Sequence, residues 1–303
     1  MATREDSVSG VEITRDNISV AQYSSEENTV VNASIVTSPL DDAPASDDLV
    51  SSLRTRFRKL AAQMRCQGQA AAVAVPSNFA VVKNVMLDED EENVAEAIEW
   101  ELGQSIVGAM QDYAFDFEAT ADADDGCRHF LAVGYRTANV RKLVSLLKAG
   151  RLVPRVVDLD IFALIDVFEA NYRENAMAPA LIVHGGSDSS KLVLTVHGGF
   201  LDFDVMEHRA GQTAADAYAS QVQETMARNH AHGPYATFVT GPLFADQEFC
   251  ERVCSRLGNA RLLDPFKSIR STVAIPRDDL VKCVPYLAVA VGLALRCAAE
   301  AGA

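Results

Sequence analysis

Two stretches decide how this chain folds: GVEITRDNISVAQYSSEENTVVNASIVT at residues 10–37, and ALIVHGGSDSSKLVLTVHGGFLDFDVME at residues 180–207. Each breaks into three short apolar runs. In the first they are Gly10–Thr14, Ile18–Ser24 and Val30–Thr37, divided at Arg15-Asp16-Asn17 and at Ser25–Asn28. In the second they are Ala180–Val183, Leu192–His197 and Phe200–Glu207, with Gly198-Gly199 as the expected tight turn. Apolar runs of this length, bounded by polar and glycine clusters, read as strands. The chain therefore starts twice, about 170 residues apart, and each start leads into alternating helices and strands. A repeated βββαβα unit predicts two similar mixed-sheet lobes with a cleft between them. Chance recurrence of a three-strand meander is the competing explanation.

Between the two starts the pattern predicts a helix capped by Ser46, with Leu49, Leu53, Phe57, Leu60 and Met64 on one face. An acidic loop, Ser38–Pro44, precedes it. Strands follow at Ala71–Val75 and Val81–Leu87. Asp88 and Glu91 have the spacing of a capping box for a helix that buries Val94, Ile98, Leu102 and Ile106. Trp100 lies off that stripe, beside Glu96 and Gln104, as a second covered side or a partner surface. Strands Tyr113–Thr120 and His129–Tyr135 flank the turn DADDG. Then come helix Thr137–Ala149, strand Val153–Val157 and helix Ile161–Tyr172. Asn175–Pro179 reads as a linker. The second half continues with helix Ala214–Asn229, strand Thr237–Thr240, helix Ala245–Leu257 and strand Arg261–Leu263. A closing helix, with Pro285 near its start, aligns Leu287, Val291 and Leu295.

The 303 residues carry a net charge of −15 and are 49% hydrophobic. Sizeable cores are available, and the acidity argues against nucleic acid or anionic lipid as a general partner. The six cysteines form no C-x-x-C pair, so reduced structural thiols are expected rather than a zinc site. MATREDSVSG has no apolar signal region, and the run Tyr286–Leu295 is about half a bilayer span. Neither secretion nor membrane crossing is expected. His129, His184, His197, His208, His230 and His232 follow no triad order, and no G-x-S-x-G is present.

The duplicated plan resembles the actin, Hsp70 and sugar-kinase superfamily. Within it the chain resembles the PilM family of type IV pilus assembly proteins, from about residue 8 to residue 297. The stretches that carry this are GVEITRDNISVAQYS (10–24), AAAVAVPSNFAVVKNVMLDEDEENVAEAIEWELGQSI (70–106), HFLAVGYRTANVRKLVSLLKAGRLVPRVVDLDIFAL (129–164), LIVHGGSDSSKLVLTVHGG (181–199) and VPYLAVAVGLALR (284–296). The Ala97–Glu101 neighbourhood is the most distinctive. The cytoplasmic lobe of the type II secretion protein GspL is a less close match; that family continues into a membrane span, and the expectation here is that none follows, which favours the PilM resemblance.

The resemblance implies an α/β, actin-like (ribonuclease H-like) fold of duplicated βββαβα lobes. Residues 1–175 would form the first lobe, with an inserted subdomain at about 71–155. Residues 176–303 would form a reduced second lobe lacking most of the nucleotide-covering subdomain, since only one helix fits between Gly211 and Thr237. In the superfamily two glycine-rich hairpins cradle phosphates and hold Mg²⁺. Here the corresponding positions are Glu12, Thr14 and Arg15, then His184 with Gly185 and Gly186. The adenosine loop is reduced to Thr240 and Gly241 before Pro242. Side chains crowd the first turn, His184 is a poor Mg²⁺ ligand, and Pro242 lacks a donor. The expectation is a degenerate nucleotide cleft with no cofactor and no ATP hydrolysis; Mg-ATP binding by a regulated ATPase is the alternative. A sugar kinase would need a carboxylate base, for which Asp158, Asp160 and Asp204 are available. The family further implies a cytoplasmic scaffold at the inner membrane that works with other pilus platform proteins. It would hold the N-terminal tail of a PilN-like membrane protein as an extended peptide. Family geometry places Val85, Leu87, Ile98, Trp100 and Leu102 in that groove.

Overall fold

The structure, a computed structural model, describes residues 7–15, 17–37, 49–120, 126–208, 214–229, 235–258, 260–273 and 277–302. The Ser38–Pro44 loop, the Ser46 cap, most of the DADDG turn, and His230 and His232 lie outside the described residues. In chain order the strands and helices are β1 (Val8–Ile13), β2 (Asn17–Ser24), β3 (Thr29–Thr37), α1 (Leu49–Met64), β4 (Ala70–Val75), β5 (Val81–Asp88), α2 (Val94–Gly103), β6 (Tyr113–Ala119), β7 (Cys127–Arg136), α3 (Thr137–Ala149) and β8 (Val153–Leu159). They continue with α4 (Asp160–Asn171), α5 (Arg173–Ala176), β9 (Ala180–Gly185), β10 (Ser189–Val196), β11 (Gly199–Glu207), α6 (Ala215–Asn229), β12 (Ala236–Thr240), α7 (Gln247–Arg256), β13 (Arg261–Leu262), β14 (Arg270–Ser271) and α8 (Arg277–Gly302). The chain divides into two compact units: residues 1–74 with 146–303, and Val75–Ser145.

The larger unit holds two sheets, ordered β14-β3-β2-β1-β4-β8 and β11-β10-β9-β12-β13. With β14 set aside, the two orders are the same. In each, three strands form an antiparallel meander (Val11 opposite Val20, Val193 opposite Ile182) and a fourth returns parallel to the first (Gly10 opposite Ala72, Val183 opposite Val239). Each meander also has one irregularity, at Gln22/Tyr23 and at Leu194/Thr195. The repeat read from residues 10–37 and 180–207 is therefore a repeat of topology, which chance meanders would not share. The second hairpin turns one residue earlier than the sequence suggested. His197 (φ 52°) and Gly198 (φ 78°) are its two corner residues, and Gly199 already belongs to β11. A two-residue hairpin with positive φ at both corners matches the strand twist.

Helix α8 packs against β1, β2 and α4. Two glycines permit this. A methyl carbon added to Gly10 would stand 1.9 Å from the Ala290 carbonyl oxygen, and one added to Gly292 would stand 1.9 Å from that of Ala163. Side chains on both faces of the helix are buried, among them Leu287, Val289, Val291 and Leu293. By length and composition alone Lys282–Gly302 could cross a membrane, a longer stretch than the ten-residue run suggested. Its apolarity is accounted for by this packing, with 61% of the stretch's apolar window buried in the fold. Pro285 sits inside α8, not near its start. The segment read as a linker begins in the short helix α5.

The smaller unit is a three-stranded antiparallel sheet, β5-β7-β6, with α2 packed on one face. Val85, Ile98, Leu102, Phe130 and Ala132 form its core. The capping box does not form. The helix starts at Val94, and Glu91 instead accepts from the Asn93 backbone N–H at 2.9 Å. It also ends at Gly103, so Ile106 lies beyond it.

Candidate functional site

The two β-hairpins of the larger unit bring the sequence-nominated cleft residues together. Glu12 lies near the end of β1 and is buried, although it is a carboxylate. Asn17, at the start of β2, donates from Nδ2 to Glu12 Oε2 at 3.0 Å, and the same amide is 2.6 Å from Ser19 Oγ. Thr14 closes the turn: its backbone N–H reaches Asn17 O at 2.9 Å, and its hydroxyl donates to Asn17 Oδ1 at 3.0 Å. On the second hairpin, Gly186 N–H bonds Ser189 O at 3.0 Å. The two tips meet directly, Arg15 Nη1 standing 2.7 Å from Asp188 Oδ2. Both side chains are mostly exposed, so this ion pair contributes little energy. What it marks is the closeness of the tips.

Deeper in, His184 and Glu12 face each other, Nε2 to Oε1, at 3.8 Å. Burial, with Lys191 nearby, holds His184 down at about pKa 4 although Asp160 pulls the other way. The imidazole is therefore neutral at pH 7, and the contact is not an ion pair. Lys191 of β10 bonds Asp160, the first residue of α4, and both side chains are nearly shut off from water. A buried Glu, a neutral His and a Lys–Asp pair thus lie close together.

The third nominated element closes on the same spot. Gly241 has φ +97°, and a methyl carbon there would stand 2.5 Å from the Gly185 carbonyl oxygen. Only glycine fits both that conformation and that approach. Its N–H bonds the Pro285 carbonyl of α8 at 2.9 Å, and the Thr240 hydroxyl bonds the same oxygen at 3.2 Å. Gly185 is capped in turn: a methyl there would meet the Phe244 ring at 2.9 Å and Leu243 Cβ at 3.1 Å.

His184 makes a pH prediction. Its folded pKa lies below the ordinary value of 6.5, so the unfolded chain binds the extra proton first. Its contribution is complete above pH 6.5 and is lost as pH falls toward 4. His184→Gln should flatten that part of the stability profile. The measurement is the difference between wild-type and variant urea midpoints across pH 4–7. A difference is needed because Asp166 and Glu169, raised mainly by burial to about 6 and about 7, act in the opposite sense.

Those two carboxylates line a separate cavity of about 580 Å³ with Arg173, Met177, Gly198 and Arg296. Asp158, weighed above as a kinase base, also bonds Arg296, at 3.3 Å, and Asp160 is held by Lys191. Asp204 lies on β11 opposite Leu192. Among the described residues, no group of three or more His, Cys, Asp or Glu is arranged to hold a metal ion.

The groove residues inferred from family geometry need correction. Val85, Ile98 and Leu102 are core residues of the smaller unit, 3%, 0% and 0% exposed, and so cannot line a groove. Leu87 is half-buried against that core. Trp100 is 64% exposed. Sequence reading missed Lys191 and Asp188. The available signal for Lys191 was a lone cation in the apolar run SSKLVLTV of β10.

Paired hairpins on duplicated βββαβα halves define an actin-like protein. The family model described as type IV pilus assembly protein PilM, PilM_2, matches residues 10–180, and the chain belongs to this family. Among solved structures, the PilM–PilN type IV pilus biogenesis complex is similar with a TM-score of 0.78 at 18% identity, over 96% of this chain and 98% of that one. The cytoplasmic domain of EpsL, an inner-membrane component of the type II secretion system of Vibrio cholerae, gives 0.53 at 12% identity, over 97% and 95%. The ethanolamine utilization protein EutJ of Carboxydothermus hydrogenoformans gives 0.55 at 13%, over 95% and 89%. No curated protein sequence matches the chain.

Proposed function

We propose that this PilM-family protein is a cytoplasmic scaffold at the inner membrane, in a pilus assembly platform or a related secretion platform. In this reading it holds the N-terminal tail of a PilN-like membrane protein, works beside other platform proteins, and hydrolyses no ATP. The observation that supports it is the self-filled cleft. Arg15 meets Asp188 at the hairpin tips, Lys191 already neutralises Asp160, and Gly241 rests on Gly185. In this reading Mg-triphosphate would have to part the Arg15–Asp188 contact and sit against the side chains of Thr14 and Arg15, where the superfamily offers bare backbone. Binding a peptide needs no such rearrangement, so it can persist where nucleotide chemistry has lapsed. The acidity of the chain suits a basic tail.

Thermal unfolding with Mg-ATP tests the nucleotide half. A ligand at a hundred times its Kd stabilises by about 2.7 kcal/mol, a readily measured rise in Tm. We expect no rise at millimolar Mg-ATP; a clear rise would favour the ATP-switch alternative. Titration of the full chain with a labelled tail peptide tests the other half, and saturable binding is expected.

A further inference from the structure

The outer face of α2 joins the only tryptophan in the chain to a strong local negative charge. Trp100 is 64% exposed. Burying an indole is among the largest gains available to a folding chain, yet this one stays in water while its neighbours Ile98 and Leu102 are fully buried. Glu96 lies one turn away on the same row of the helix, and Glu99 precedes the tryptophan. Both are exposed and have no ion-pair partner among the described residues. Five consecutive acidic residues, Asp88–Glu92, lead into the helix, and α2 itself contains no lysine or arginine. Its third glutamate, Glu101, points to the other side, where Lys83 binds it.

We infer that the Glu96–Glu99–Trp100 face of α2 is a docking surface for a basic segment of a partner polypeptide, with an arginine or lysine stacked on the Trp100 ring between the two carboxylates. The occupant is cationic because a cation satisfies both halves of the surface. The indole face attracts positive charge, and carboxylates without counter-ions gain from a partner that supplies them. An acidic or purely apolar partner would leave Glu96 and Glu99 uncompensated. Tryptophan is also a residue type that concentrates binding energy at interfaces. Isolated exposed apolar side chains are ordinary, but Arg128 serves the carbonyls of Asp88 and Glu91 and Lys83 serves Glu101, which leaves an exposed tryptophan beside two exposed glutamates with no cation of their own among the described residues, a specific combination. The inference deepens the adaptor reading by giving one partner surface its chemistry, and it rests on that reading only in taking the chain to be a binding protein.

Because Trp100 is the sole tryptophan, fluorescence of the intact full-length chain reports on this surface alone. At low salt, caesium should quench it more effectively than iodide, since the local field gathers cations, and that preference should shrink in the double variant Glu96→Gln/Glu99→Gln. Titration with an amidated Arg-Leu-Arg-Leu-Arg peptide should then give a saturable blue shift. The apparent affinity should fall by about tenfold in the double variant, from the loss of two charge contacts. A Glu-Leu-Glu-Leu-Glu peptide should give no shift. Absence of a saturable shift with the basic peptide, an equal response to the acidic one, or an unchanged response in the double variant would each overturn the proposal. These probes owe nothing to a pilus protein tail, so failure of the tail-binding titration leaves this expectation standing, and the reverse holds equally.

Discussion

Gly10→Ala should destabilise the protein by about 3 kcal/mol or more, at the upper end of what overpacking costs. The new methyl carbon would lie 1.9 Å from the Ala290 carbonyl oxygen and 2.4 Å from the Ala294 nitrogen, both backbone atoms of α8. A flexible side chain could swing aside, whereas helix backbone can only move as a rod. Moving this rod disturbs its contacts with β1, β2 and α4 together, including the close seat of Gly292 on Ala163. The loss should appear as a lowered urea midpoint with secondary structure retained below it. Gly103→Ala is the control. Nothing lies within 4 Å of a methyl there, and the residue closes α2. Alanine in place of a helical glycine should stabilise by up to about 1 kcal/mol. Two substitutions of the same chemistry should therefore differ in sign. Equal, small effects would mean that α8 does not seat on β1 this closely.

Lys191→Met should cost about 3–5 kcal/mol, the range for removing one member of a buried ion pair. Lys191 and Asp160 have side chains only 12% and 5% exposed, which places them in the buried regime and not among surface pairs. Without the ammonium, the buried Asp160 carboxylate at the start of α4 loses the cation that β10 supplies. Lys191→Met/Asp160→Asn should recover most of the loss, because neither charge then has to be desolvated. His184 supplies a second readout. Lys191 depresses its pKa and Asp160 raises it, so Lys191→Met should move the His184 titration upward. In the double variant burial alone should still hold it low. An NMR titration of the His184 ring in the three proteins checks the order. Equal stability in the single and double variants would refute a coupled pair.

The meanders were legible because strand runs, polar turns and their repetition are local signals. Thr137–Ala149 was read to the residue, as α3. Boundaries that depend on packing were read less well. Pro285 looked like a helix start because proline favours the first turn, yet α8 runs through it, and its carbonyl is used by Thr240 and Gly241. The Asp88–Glu91 spacing matched a capping box, but those residues form a turn in which Glu91 caps Asn93. Of the groove candidates, Ile98 and Leu102 were read from periodicity as the buried stripe of α2, and family geometry placed them with Val85 in the groove. Periodicity identifies an apolar face without saying whether a partner or the chain's own sheet covers it, and here the sheet covers it.

What the sequence determined by itself was the doubled plan, the strand and helix types, and the side chains Thr14 and Arg15 at the first hairpin turn. All of these are written in short windows of residues. Only the tertiary structure decided that Lys191 meets Asp160, that Arg15 meets Asp188 across 173 positions, and that Gly241 rests on Gly185. Those contacts join residues far apart in the chain. They depend on how two sheets and α8 pack in three dimensions, and no local pattern of side chains encodes that.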